Sequence, residues 1–225
     1  MAAIITTVTN YMTYLNSLYE LDSTAPSSGE EDFTVWLNLA NVAVNIWENE
    51  EGMLWRELFV KLADAADGDK TTNASDTSYA LPGNFRFPAS AYVWLGSGNN
   101  KTPYKVRTIE KLQLYENDGG NWCYFTGTTL EFNPNLSSTI PAGETISYNY
   151  YKYATALTTG ASTFEMSDPM FVAFYSLSEL KKEEGDTSAL SIATQKLEGM
   201  KTKNKLPQWL LDDTPEDPAL EGFGV

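Results

Sequence analysis

The feature that most constrains this chain is a change of character across Ser78-Tyr79-Ala80-Leu81-Pro82-Gly83-Asn84-Phe85. Before it the sequence reads as acidic amphipathic helices. After it come about eighty aromatic, β-rich residues, and helical patterning returns near Asp168. A chain that leaves a helical body and comes back to it carries its β block as an insertion. The expected fold is α+β: a helical bundle of about five helices drawn from both chain ends, with an inserted small antiparallel β-sandwich or barrel and an extended C-terminal arm. The expected boundaries are 1–77 for the N-terminal helices, 78–166 for the β module, 167–205 for the C-terminal helices and 206–225 for the tail.

Charge follows the same divisions. Residues 1–80 hold thirteen acids and three bases, residues 81–205 are balanced, and 206–225 hold five acids and no base. The net charge of −15 is the opposite of what a grip on nucleic-acid phosphates requires. At 225 residues and 42% hydrophobic content the chain is long enough to bury a sizeable core. No run reaches the ~18 apolar residues of a membrane helix. The N-terminus lacks the basic start of a signal peptide, so a soluble chain made in a cytoplasm is expected. On that expectation the Asn-x-Ser/Thr triplets at Asn73, Asn100 and Asn135 are chance matches in loops.

Helical spacing of Ile4, Ile5, Val8, Met12, Leu15 and Leu18 predicts a first helix, stopped before a polar loop from Leu21 to Gly29. Ser28 and Glu31 have capping-box spacing for a second helix. That helix carries two apolar rows, Phe33-Leu37-Ala40-Val44-Trp47 and Trp36-Leu39-Ala43-Ile46, and so wants partners on more than one side. Met53 to Ala66, with Trp55, Leu58, Phe59 and Leu62, predicts a third. Strands are predicted over 85–87, 92–95, 108–115, 122–126, 129–132 and 145–153, with a hairpin turn at Asn117–Asn121 and a tighter one at Thr126–Thr128. Helices resume after Ser167-Asp168-Pro169 and again from Ser188 to Lys205.

The catalytic vocabulary is thin. There is no histidine, which removes the commonest general base and metal ligand, the Ser-His-Asp arrangement and most zinc sites. Gly96-Ser97-Gly98 lacks the third glycine and following helix of a phosphate loop and reads as a turn. Asp64, Asp67 and Asp69 miss the calcium-loop spacing. Glu110, Glu131 and Glu144 could in principle supply a carboxylate pair for glycoside cleavage, but read as solvent-facing strand residues. Trp94, Trp122, Tyr148, Tyr150, Tyr151 and Tyr153 could stack sugars, although a small sandwich needs most such rings for its core. Cys123, the single cysteine, sits in an aromatic run and reads as a packed core thiol. No catalytic residue, cofactor or metal is assigned, and no enzyme activity is expected. In the tail, Trp209 and Phe223 are costly to leave in water and are candidate interface anchors, as are Trp36 and Trp47.

Three segments together resemble the head-to-tail adaptor (connector) proteins of tailed bacteriophages. Trp36-Leu37-Asn38-Leu39-Ala40 is similar to the family's Trp-Leu-Asn-x-Ala helix. Tyr79-Ala80-Leu81-Pro82-Gly83-Asn84-Phe85 is similar to its Tyr-x-Leu-Pro-x-Asp-Phe, with Asn84 in place of Asp. Asp168-Pro169-Met170-Phe171-Val172 is similar to its proline-started C-terminal helix pair. The resemblance implies a virion neck protein forming a homo-oligomeric ring, usually of twelve copies, between the portal and the tail or nozzle proteins. DNA would pass through it without sequence-specific binding. An acidic lining suits such a channel because it repels phosphates, and Glu48, Glu50, Glu51, Asp64 and Asp67 are the candidate lining acids. The alternative is a tail or baseplate module that binds carbohydrate or receptor through an exposed aromatic row on the β module.

Overall fold

The computed structural model describes residues 5–19, 24–74, 76–115, 118–136, 139–185 and 187–204. The protein is a mixed α+β chain. It divides into two compact units, one from Met1–Ala43 and Thr158–Val225 and the other from Val44–Leu157. The first is therefore built from both chain ends, and the second is internal to the chain. The internal unit takes in 44–77, which the sequence pattern had placed with the helices.

The first unit contains α1 (Val8–Tyr19), most of α2 (Glu31–Glu48), α3 (Met170–Leu180) and α4 (Ser188–Asn204). The helical spacing at the N-terminus is real, but the helix begins at Val8. Just before it Thr7 forms an antiparallel bridge with Thr163, with hydrogen bonds from Val8 N–H to Ser162 O and from Phe164 N–H to Thr6 O. The capping contact of α2 sits one residue earlier than its sequence signature: the Glu30 carboxylate accepts the Ser27 N–H at 2.7 Å. α3 follows Pro169, and the Asp168 carboxylate accepts the Met170 N–H at 3.3 Å. α3 packs against both α1 and α4. Val8, Met12, Leu15, Val172, Ala173 and Ala193 are almost wholly buried. Tyr11 joins three segments, its hydroxyl donating to Trp36 O at 3.0 Å and meeting Ser176 Oγ at 2.8 Å. Burial pushes the Tyr11 hydroxyl well above the ordinary phenol range, so it stays a donor.

Among the described residues the internal unit holds nine strands: β1 (Phe59–Lys61), β2 (Ser78–Ala80), β3 (Phe85–Pro88), β4 (Tyr92–Ser97), β5 (Asn100–Val106), β6 (Trp122–Phe125), β7 (Thr129–Phe132), β8 (Ile146–Ser147) and β9 (Asn149–Lys152). Three form a sheet in the order β1-β9-β3, and six form a second in the order β2-β7-β6-β5-β4-β8. One apolar core takes side chains from both sheets, including Val93, Leu95, Tyr104, Cys123, Leu130 and Phe132 from the larger and Phe85 and Tyr150 from the smaller.

Several local expectations are corrected. Met53–Ala66 is not a helix but two single 3-10 turns, Arg56–Leu58 and Leu62–Asp64, flanking β1. Trp55, Leu58 and Leu62 are buried, and their spacing of three to four serves 3-10 turns as well as an α-helix. Ile109–Tyr115 is a 3-10 turn rather than a strand, with Ile109 and Leu114 exposed. That turn carries the chain across, so β5 and β6 pair in parallel, Lys105 opposite Trp122, and no hairpin joins them. Asn117 itself lies outside the described residues. The tighter turn at Thr126–Thr128 does close a hairpin, because β6 and β7 are antiparallel. β5 was not foreseen, and from Asn100 to Lys105 it pairs with β4 across a turn at Gly98 and Asn99. The Ser78–Phe85 seam opens on β2, which pairs with β7.

Candidate interaction surfaces

The acids proposed to line a channel are not equivalent. Glu48 is buried in the last turn of α2, with Arg86 Nη1 at 3.6 Å from its Oε1. Arg86 also donates to the Glu48 carbonyl at 2.9 Å and to Asn49 Oδ1 at 2.8 Å, capping the negative end of the helix. Glu48 is therefore a structural partner and is removed from the lining set. Asp67 is exposed, yet its carboxylate accepts the Gly83 N–H at 3.1 and 3.2 Å. Asp69 accepts the Ala80 N–H at 2.7 Å and returns its own N–H to Ala80 O at 2.9 Å. The acidic loop thus latches the Ser78–Gly83 seam in place. Glu51 and Asp64 are exposed and Glu50 is half-buried.

The tryptophan anchors on α2 are corrected in the same way. Trp36 is 5% exposed and packs edge-on to Tyr19 with centroids 6.2 Å apart. Trp47 is 1% exposed and stacks on Trp55 at 5.2 Å. Both rings are used up inside the chain. Trp209 and Phe223 lie outside the described residues.

What α2 leaves in water is a different row. Val35, Val42 and Ile46 are 42%, 47% and 36% exposed, and Leu39 between them is half-buried. Spacings of four, three and four put these four residues on one helix face. The sequence showed that this helix was apolar over too much of its surface, but not which row would remain uncovered.

A second surface is the outer face of the three-stranded sheet. Phe59 and Tyr151 are directly paired across β1 and β9, and Phe87 and Tyr151 across β9 and β3. Their rings meet at centroid distances of 5.9 and 5.4 Å. The Arg86 guanidinium lies over both Phe87 and Tyr153, at 5.3 and 5.9 Å from the ring centres. Phe59 and Tyr153 are 41% and 53% exposed. Of the rings named from sequence, Trp122, Tyr148 and Tyr150 are buried, Trp94 and Tyr151 are half-buried, and only Tyr153 is largely exposed. Phe59 was missed because it had been read as part of a helical stripe.

The remaining chemistry is structural in form. Glu131 accepts hydrogen bonds from Ser78 Oγ and Thr129 Oγ1, both at 2.6 Å, as a cross-strand tie. Burial pushes the Cys123 thiol up to about 12. Among the described residues no group of three His, Cys, Asp or Glu side chains is placed to hold a metal ion, and no helix is long and apolar enough to cross a membrane. Two shallow hollows of about 270 and 300 Å³ lie in the first unit, around Asn16 and Trp36 and around Met12 and Phe33. No family model and no curated protein matches the chain.

Proposed function

We propose that this chain is a non-enzymatic virion structural protein, a ring-forming head-to-tail adaptor that links the portal to the tail and extends the DNA channel. The observation that carries the reading is the uncovered apolar row Val35-Leu39-Val42-Ile46 on a helix whose other rows are already buried. A ring subunit needs lateral faces that its own fold does not fill. The unit formed by both chain ends is then the bundle that builds the ring, and the two sheets form a small sandwich that reaches a neighbour. Glu50, Glu51, Asp64 and Asp67 are the acids left to face a lumen. Electron microscopy of the particle tests the reading: a cyclic ring of about twelve copies on the tail axis is expected, and a peripheral location overturns it.

A second reading is favoured by the aromatic face Phe59-Tyr151-Phe87 with Arg86 and Tyr153. In it the chain is a tail or baseplate module that stacks sugar rings on these side chains. Glycan binding by the isolated protein, lost on Tyr151→Ala and Phe59→Ala, is its expected signature.

A further inference from the structure

The aromatic face of the three-stranded sheet has a charge to match its rings. Lys61 is exposed, and the strand alternation puts it on the same side of β1 as Phe59. Arg86 lies over Phe87 and Tyr153. Arg56 is exposed in the 3-10 turn Arg56–Leu58, which leads directly into β1. Lys61 and Arg86, two of the chain's fifteen cations, thus border one patch of exposed and half-buried rings, with Arg56 in the turn just before it, in a protein of net charge −15. The carboxylate bound to Arg86 is Glu48, which is buried.

The complement of that face is in the same sequence. Residues 206–225, which follow α4, carry five carboxylates and no base. They are Asp212, Asp213, Glu216, Asp217 and Glu221, flanked by Trp209, Leu210 and Leu211 on one side and Phe223 on the other. The pattern is apolar, acidic, apolar. The face offers rings with cations at their margin, the reverse arrangement. Twenty residues span up to about 66 Å when extended, so the segment is long enough to cross from one molecule to another.

We infer that residues 206–225 of one copy dock on the Phe59-Tyr151-Phe87 face of a second copy, Trp209 or Phe223 packing on the rings and the acids facing Arg56 and Lys61. The contact is heterologous, tail to face, and such contacts close into rings or run on as filaments. This inference rests on the ring-forming reading and names the strap that ties neighbouring subunits. Part of its strength is electrostatic, so it weakens with salt.

The test uses the 225-residue chain with its tail intact. Natural-abundance and 15N-labelled protein are unfolded together, refolded, and treated with a carbodiimide, which joins lysine to carboxylate without a spacer. The expected result is mixed-label peptides joining Lys61 to the 212–221 carboxylates, in about tenfold excess over those joining the exposed Lys101 or Lys182. Trp209→Ser with Phe223→Ser, changes confined to the tail, should reduce the Lys61 products to the level of those two lysines. Lys61 at parity with Lys101 and Lys182 in the unaltered chain overturns the inference, as do tail crosslinks confined to same-label pairs. Either failure leaves the ring-forming reading to its own test, microscopy of the particle.

Discussion

Arg86 grips Glu48 twice, donating to its main-chain carbonyl at 2.9 Å and standing 3.6 Å from a carboxylate whose side chain is only 7% exposed. The last turn of α2 is thereby tied to β3 of the internal unit. Removing one partner leaves the other's charge less well compensated in a poorly hydrated place, which costs more than the pair itself contributes. Arg86→Met is expected to lower unfolding stability by about 2 to 3 kcal/mol. The Arg86→Met, Glu48→Gln double variant should recover more than half of that loss. Urea unfolding of the wild type, both single variants and the double variant measures the coupling, and strictly additive losses would show that there is none.

Tyr11 makes a comparable tie in the first unit. Its hydroxyl serves both Trp36 O and Ser176 Oγ, and burial keeps it protonated. Tyr11→Phe leaves two buried polar groups short of a partner and should cost about 1 to 2 kcal/mol, read as a fall in melting temperature. In a Ser176→Ala background the same change should cost less.

The β4–β5 hairpin sets two glycines against each other, Gly96 near the end of β4 and Gly98 in the turn. A Cβ on Gly96, at φ +117°, would stand 2.1 Å from Asn100 O, whereas one on Gly98, at φ +58°, meets nothing within 4 Å. Gly96→Ala is therefore expected to cost more than about 2 kcal/mol and Gly98→Ala only about 1 kcal/mol. Thermal melts of the two variants side by side check the order.

Alkaline conditions should loosen the core of the internal unit. The Cys123 thiol is held near 12 when folded, against about 9 in a free chain. The folded state therefore holds this proton more tightly. The stability it contributes is intact below pH 9 and is lost as pH rises toward 12. The slope is about 1.4 kcal/mol per pH unit for each such group. Cys123→Ala should flatten the stability profile above pH 9 while leaving its neutral-pH shape unchanged. Denaturant midpoints across that range measure it.

Val42, 47% exposed in the middle of the uncovered row of α2, separates folding from assembly. Val42→Glu should change stability by no more than about 0.5 kcal/mol. It should nevertheless abolish self-association in sedimentation velocity, and an unchanged oligomer would release this face from any role in the ring.

The sequence made α2, α3 and α4 legible through their helical spacing, Pro169 and the acids near the α2 start. It did not separate Met53–Ala66 from a helix, because Trp55, Leu58 and Leu62 keep a spacing that 3-10 turns share. β5 escaped notice because Asn-Lys-Thr-Pro-Tyr-Lys-Val has one buried ring and a proline. Pro103 is tolerated there because β6 pairs only with Lys105 and Val106, leaving the proline's side of β5 open. Surfaces were the least readable part. Trp36 and Val35 adjoin in sequence, and only the packing decides that the larger is buried and the smaller left in water.

The pairing of residues 6–9 with 160–164 also sets an order of events during synthesis. The internal unit has all its residues once Leu157 leaves the ribosome, whereas the first unit still lacks α3 and α4. At about 5–20 residues per second, α1 waits on the order of ten seconds for its partners. During that interval Val8, Met12 and Leu15 are open to solvent and to other nascent chains, so a helix emitted early is among the last to be secured.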